Sequence, residues 1–216
     1  MTFSSMIVDL LGGLFVSVEI FVWTLVLALP FGFFVALGRM SSNLFVAAFF
    51  RIFISIVRGT PLMLQIMFVY FAPYFFFEMP LSKYPRILAT VIAFAINYSA
   101  YFAEIYRGGI LSIDGGQREA AKALGMSRAQ TFLRIILPQT IKRVIPAVGN
   151  EVITLVKDTS LAFTIAVMEM FAIAKQLSSA NTSMTPLVAA GVFYYLFNYA
   201  VAWTMERIEK HFAYYD

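Results

Sequence analysis

The chain has 216 residues, 61% of them hydrophobic and 13% charged, with a mean hydropathy of +0.80. A soluble domain carries roughly 25% charged and about 45–50% apolar residues, so a water-soluble globular domain is excluded. Cysteine is absent and His211 is the single histidine, which rules out disulfides, Fe–S clusters and thiolate zinc and leaves metal or Ser-His-Asp chemistry little to build on.

The first basic residue is Arg39, so the N-terminus lacks the charged region of a secretory signal, and the first apolar segment is expected to be retained as a span. Ile20 to Gly38 and Gly59 to Phe77 each hold 19 uncharged residues, and Gln176 to Met205 holds 30. A helix needs about 20 residues to cross a bilayer. The predicted fold is an all-α membrane protein, one domain over 1–216 with about five transmembrane helices near 12–38, 56–78, 86–107, 139–157 and 185–206. Val46 to Val57 form an interfacial lead-in to the second span, and Pro61 and Pro73 are candidate kinks in it. The runs Phe49-Phe50, Phe75 to Phe77 and Tyr194-Tyr195 suit interface belts and lipid contact.

The net charge of +4 needs no nucleic-acid partner in such a chain, because basic residues set topology. Of 16 Lys and Arg, 12 fall on one side, Arg58 and the run from Arg107 to Arg143 among them, and only Lys83, Arg86, Lys157 and Lys175 on the other. Basic residues in short loops stay cytoplasmic, so the N-terminus is expected outside, the C-terminus inside, and 108–138 in the cytoplasm.

Residues 108–138 are too polar for a span and too long for a simple connector. Asp114 with Gly115-Gly116 gives a turn and N-cap, Gln117 to Leu124 are good helix formers, and Gly125 sits where a helix ends. Ser127-Arg128-Ala129-Gln130 reads as a capping box opening a second helix. That helix ends at Pro138 or bends there into the fourth span.

Charges in the middle of a span cost about 2.5–3.5 kcal/mol and so face an interior or a cavity. On the fourth span Asn150, Glu151, Thr154, Lys157 and Asp158 fall within an arc of about 120°, with Val152, Ile153, Leu155 and Val156 covering the rest. One polar stripe on an apolar helix suits one wall of a solute pathway. Asn97 on the third span is the expected facing residue, giving Asn97, Asn150, Glu151, Thr154 and Asp158 as solute-contact candidates. The competing reading puts Lys157 and Asp158 at the outer surface and uses Asn150 and Glu151 for helix–helix hydrogen bonds. Glu104 and Arg107, spaced i,i+3, suit a structural ion pair.

Within the loop, Glu119-Ala120-Ala121, three residues, Gly125, nine residues, Ile135, one residue and Leu137-Pro138 resemble the EAA signature of ABC importer permeases at every fixed position. Seven fixed residues at roughly one chance in fifteen each coincide on the order of once in 10⁸ windows. Arg58-Gly59-Thr60-Pro61-Leu62 with Gln65, Ala103 to Ile110, and Lys157 to Leu161 are similar to segments of polar amino acid permeases; Thr140 departs from the commoner alanine. The resemblance, from about 58 to 161, implies a type I importer permease. A coupling helix with Gln117, Glu119, Ala120, Ala121, Leu124 and Gly125 would dock on an ATPase subunit. It implies a second permease subunit, identical or similar, two ABC ATPase subunits holding ATP and magnesium, and an extracytoplasmic binding protein delivering a polar or cationic amino acid. The setting would be a bacterial cytoplasmic membrane. No G-x-x-x-x-G-K-[ST] loop is present, so the chain is not expected to hydrolyse ATP itself and needs no cofactor of its own. Two rivals are an ion-coupled secondary transporter using Glu104, Glu151 and Asp158, and a membrane anchor that recruits a soluble enzyme through the 108–138 loop.

Overall fold

The computed structural model describes residues 2–81 and 84–212, and every regular element among them is helical. Lys83, counted above on the outer side, lies outside the described residues.

Helix α1 (Phe3–Arg39) begins where the Thr2 side chain accepts the Ser5 N–H at 3.3 Å, nine residues before the predicted span. Hydropathy alone does not place that start. Met6 and Leu10 are buried there against a short helix near the C-terminus, and this contact holds the extra turns. Along its inner half α1 packs on α4 (Arg86–Leu111), the central helix, whose Phe94, Tyr98 and Phe102 are fully or almost fully buried. The approach is close. A Cβ built on Gly32 would stand 2.8 Å from the Phe102 Cβ, so only glycine fits there.

The predicted second span is two helices. α2 (Leu44–Gly59) and α3 (Leu62–Phe77) meet at 109°. Pro61 disfavours the helical conformation at the residue before it, and Thr60 is extended at φ −120°, ψ 146°. Val57 and Thr60 thereby lose helical partners for their carbonyls. Gln65 Nε2 replaces them, donating to Val57 O at 2.7 Å and Thr60 O at 3.1 Å. Thr60 Oγ1 donates back to Ile56 O at 2.8 Å.

After α4, helix α5 (Gly115–Ala123) and the one-turn α6 (Arg128–Thr131) form the polar connection, as the turn chemistry predicts. The chain neither stops nor breaks at Pro138. A wide helical turn over Phe132–Ile136, closed by Leu137 N–H donating to Phe132 O, carries α6 directly into α7 (Leu137–Asp158). A proline ring collides with the carbonyl four residues back in a regular helix, and a widened turn relieves that clash. A tighter turn, Thr159–Ile165, extends α7 further.

α8 (Met170–Asn181) was not among the predicted spans; it follows a 58° bend at which Ala166 takes φ +57°. α9 (Thr185–Phe212) matches the predicted fifth span and runs six residues past it. Three helices, α1, α4 and α9, are each long and apolar enough to cross a membrane, and the count is five when each bent pair is one span. Phe15, Phe34, Phe49, Phe68 and Trp203 are all more than half exposed, a surface suited to hydrocarbon rather than water.

Candidate functional site

The α7 stripe is present as a face. Val152, Leu155 and Val156 are buried in the main core, whereas Asn150, Thr154 and Lys157 are exposed and Glu151 and Asp158 half-buried. Thr154 Oγ1 donates to its own helix, to Asn150 O at 3.0 Å, so the Asn150, Glu151, Lys157 and Asp158 side chains are the remaining polar groups of the stripe. Glu151 and Asp158 lie seven residues apart, two turns on one face, so their carboxyls are spaced about 10 Å along the axis.

Helix α4 faces Asp158 with a residue the sequence reading did not select. Tyr98, 2% exposed, donates its hydroxyl to Asp158 Oδ2 at 2.7 Å. Asn97, the residue expected to face α7, instead turns to the elbow between α2 and α3 and donates to Gln65 Oε1 at 3.0 Å. α4 side chains one residue apart point about 100° apart, so Asn97 and Tyr98 serve different neighbours.

Arg58, counted among the basic residues of one face by sequence, packs beside the middle of α4. Its guanidinium stands 5.0 Å over the ring of Tyr101, fifteen residues into α4. The bend at Thr60-Pro61 ends α2 at Gly59, one residue later, which leaves the arginine beside the middle of α4 rather than beyond its end. α2, α4 and α7 thus assemble one cation, two carboxylates and two phenol rings from Arg58, Glu151, Asp158, Tyr98 and Tyr101. The sequence signal for Arg58 was its place before Gly59-Thr60-Pro61; hydropathy placed it at a span end because hydropathy does not register bends.

A second buried polar cluster was also missed. Glu169, 0% exposed, accepts the Phe171 and Ala172 N–H groups at 2.8 and 2.7 Å and the Tyr194 hydroxyl at 2.8 Å, with Ser17 Oγ at 3.4 Å. It caps α8 and ties α1, α8 and α9 together. Glu104 and Arg107 form the expected pair at 2.7 Å, with Arg39 of α1 at 3.9 Å from the same carboxylate.

In the polar connection, Asp114 accepts the Gly116 N–H at 2.6 Å and opens α5. Gly125 closes it at φ +73°, with Gly125 N–H on Lys122 O and Met126 N–H on Ala121 O, both at 3.0 Å. Ser127 and Gln130 make the capping box, 2.8 and 3.2 Å. Ala121 is buried, whereas Gln117, Glu119, Ala120, Leu124 and Gly125 are exposed, Leu124 at 82%. Arg118 donates to Ile110 O at 3.2 Å and Arg143 to Ser112 O, so α5 is fastened to the last turn of α4, and α7 to the residue that caps α4.

Residues 28–214 match the family described as binding-protein-dependent transport system inner membrane components. Among curated relatives, the octopine transport system permease protein of Rhizobium radiobacter is 38% identical over 90% of this chain and 82% of its own length. The L-cystine transport system permease protein TcyL of Bacillus subtilis is 36% identical over 95% and 90%. Among solved structures, an amino acid ABC transporter determined with histidines superposes with a TM-score of 0.87 at 31% identity, covering 98% of this chain and 99% of that one. The MetNI methionine ABC transporter, at 16% identity and a TM-score of 0.75, shares the fold.

An all-helical membrane fold whose polar connection carries the EAA pattern defines a type I ABC importer permease. The chain belongs to the family of binding-protein-dependent transport system inner membrane components, the membrane permease subunits of such importers, in which a separate subunit hydrolyses ATP. That membership sets aside the secondary-transporter and enzyme-anchor readings.

Proposed function

We propose that this chain is one half of the transmembrane dimer of a polar amino acid importer in a bacterial cytoplasmic membrane, served by an extracytoplasmic binding protein and two ATPase subunits. The solute contacts lie at Glu151 and Asp158, with Asn150 and Thr154 on the same wall. The observation that carries this reading is the Tyr98–Asp158 hydrogen bond on the α7 wall, with the Arg58 guanidinium over the neighbouring Tyr101 ring. An amino acid is a zwitterion. A guanidinium suits its carboxylate, and carboxylates suit its ammonium group or a cationic side chain. The transport names of the relatives support an amino acid as cargo. Asn97 takes a positioning role through Gln65 rather than direct solute contact. α5 is the coupling helix: its exposed face, with Gln117, Glu119, Ala120, Leu124 and Gly125, enters the ATPase subunit, and Ala121 seats it on this chain. No covalent step falls to these residues; they bind, orient and release.

The test is amino-acid-dependent ATP hydrolysis by the complete complex in proteoliposomes with its binding protein. Glu151→Ala removes a charge-assisted contact, and half-stimulation should then need at least roughly tenfold more solute while the complex still assembles. Unchanged stimulation by every polar amino acid tried would remove Glu151 from the pathway.

A further inference from the structure

A hollow of about 500 Å³ lies between α5, α6 and the wide turn that leads into α7. Its rim carries Arg118, Lys122 and Arg128, and Met126, Phe132 and Ile136 line its floor. No carboxylate lines it. Among the described residues, none of the three cations is within ion-pair distance of an acid, since the pairs formed are Arg39 and Arg107 with Glu104 and Lys210 with Glu206. The nearest acids in sequence are spoken for or turned away. Asp114 accepts the Gly116 N–H. Glu119 follows Arg118 by one residue, about 100° round α5, and is exposed.

Arg118 and Lys122 are four residues apart and share a face, flanking the buried Ala121. From the middle of that pair Glu119 lies about 80° round α5, Ala123 about 120° and Ala120 about 180°. The hollow is therefore separate from the coupling face, and an occupant would not stand where the ATPase subunit docks. Three cations over an apolar floor select a ligand with an anionic head and an apolar body. The depth fits as well. Phe132 to Ile136 are the residues by which the chain passes from the polar connection into α7, a transition that falls near the headgroups where such a helix enters a bilayer, and the excess of basic residues assigns this end to the cytoplasmic leaflet. We infer that this hollow binds the headgroup of an anionic phospholipid, with Lys122 and Arg128 on the phosphate and Met126, Phe132 and Ile136 against the upper acyl chains.

The experiment uses the purified permease–ATPase complex. Native mass spectrometry with phosphatidylglycerol or phosphatidylcholine added in detergent reads lipid retention, and the double variant K122Q/R128Q removes two charges while leaving Arg118 on Ile110 O. Wild-type complex should retain phosphatidylglycerol preferentially. The variant should retain it roughly thirtyfold more weakly, about fivefold for each charge, with phosphatidylcholine unaffected and the ATPase subunit still bound. Equal retention of the two lipids by the wild-type complex would overturn the inference even if the variant failed to fold. So would loss of the ATPase subunit from the variant with phosphatidylglycerol retention unchanged, which would assign the cations to the protein partner. Competition by free glycerol phosphate as strong as by the whole lipid would also overturn it, by showing a simple anion site.

Discussion

Gln65 shows how much can rest on one side chain in an apolar setting. Its amide spans the elbow, donating to two α2 carbonyls that Pro61 leaves without helical partners and accepting from Asn97 on α4. A buried acceptor left unpaired costs about 1–3 kcal/mol, and little water is available to replace the partner inside a bundle. Gln65→Leu, close in volume but without the amide, should lower the thermal midpoint of the purified complex by several degrees. Asn97→Leu should cost less, because Val57 and Thr60 keep Gln65. Equal losses from the two would show that the elbow does not depend on Gln65. Tyr98→Phe isolates another single bond. It keeps the ring packing and removes the hydroxyl from Asp158, so the half-stimulating solute concentration should shift with no loss of complex yield.

At the scale of elements, the sequence was most legible where local chemistry decides. The ends of α5 and α6 follow from Asp114, Gly125 and the Ser127–Gln130 box, each a short-range hydrogen-bonding pattern that no distant contact needs to support. The polar face of α7 was legible for the same reason, since helical periodicity needs only the sequence. The α2–α3 elbow was half legible: Pro61 marks it, but 19 uncharged residues read equally well as a straight span. α8 was the least visible. It carries Lys175, Gln176, Ser178 and Ser179, and its helix depends on the Glu169 cap and on burial of Met170 and Ala174 against α1. Glu169→Ala should therefore loosen α8 selectively. Hydrogen exchange over 170–181 should rise while exchange in α4 stays unchanged. Gly125→Val places a β-branched residue at φ +73° and should weaken coupling by distorting the end of α5, seen as loss of solute-stimulated hydrolysis with solute binding retained.

For the whole molecule, the fold class was readable from hydropathy, and the residues that form the central cluster were only partly so. Arg58 and Tyr98 enter it through the bend in one span and the rotation of another, and both are properties of assembly rather than of any single segment. Sidedness rests on the basic-residue count even without Arg58. The absence of cysteine makes it directly measurable. Single cysteines at Ala123, in α5, and at Met79, after α3, should react oppositely in intact spheroplasts, with a membrane-impermeant maleimide labelling position 79 and sparing position 123. The reverse pattern would invert the topology.

The wide turn before Pro138 also has a mechanical consequence. Because the chain does not break there, one helical rod runs from Arg128, beside α5, to Ile165, beyond Asp158. At 1.5 Å per residue it is about 55 Å long, so a tilt of roughly 5° about its middle displaces each end by about 2–3 Å. At Asp158, about 17 Å from the middle, the same tilt shifts the helix by about 1.5 Å, more than half the length of the 2.7 Å bond that Tyr98 donates to it. Because a tilt moves both ends together, a stroke at Arg128 is carried to the Tyr98–Asp158 hydrogen bond with no break in the helix to absorb it.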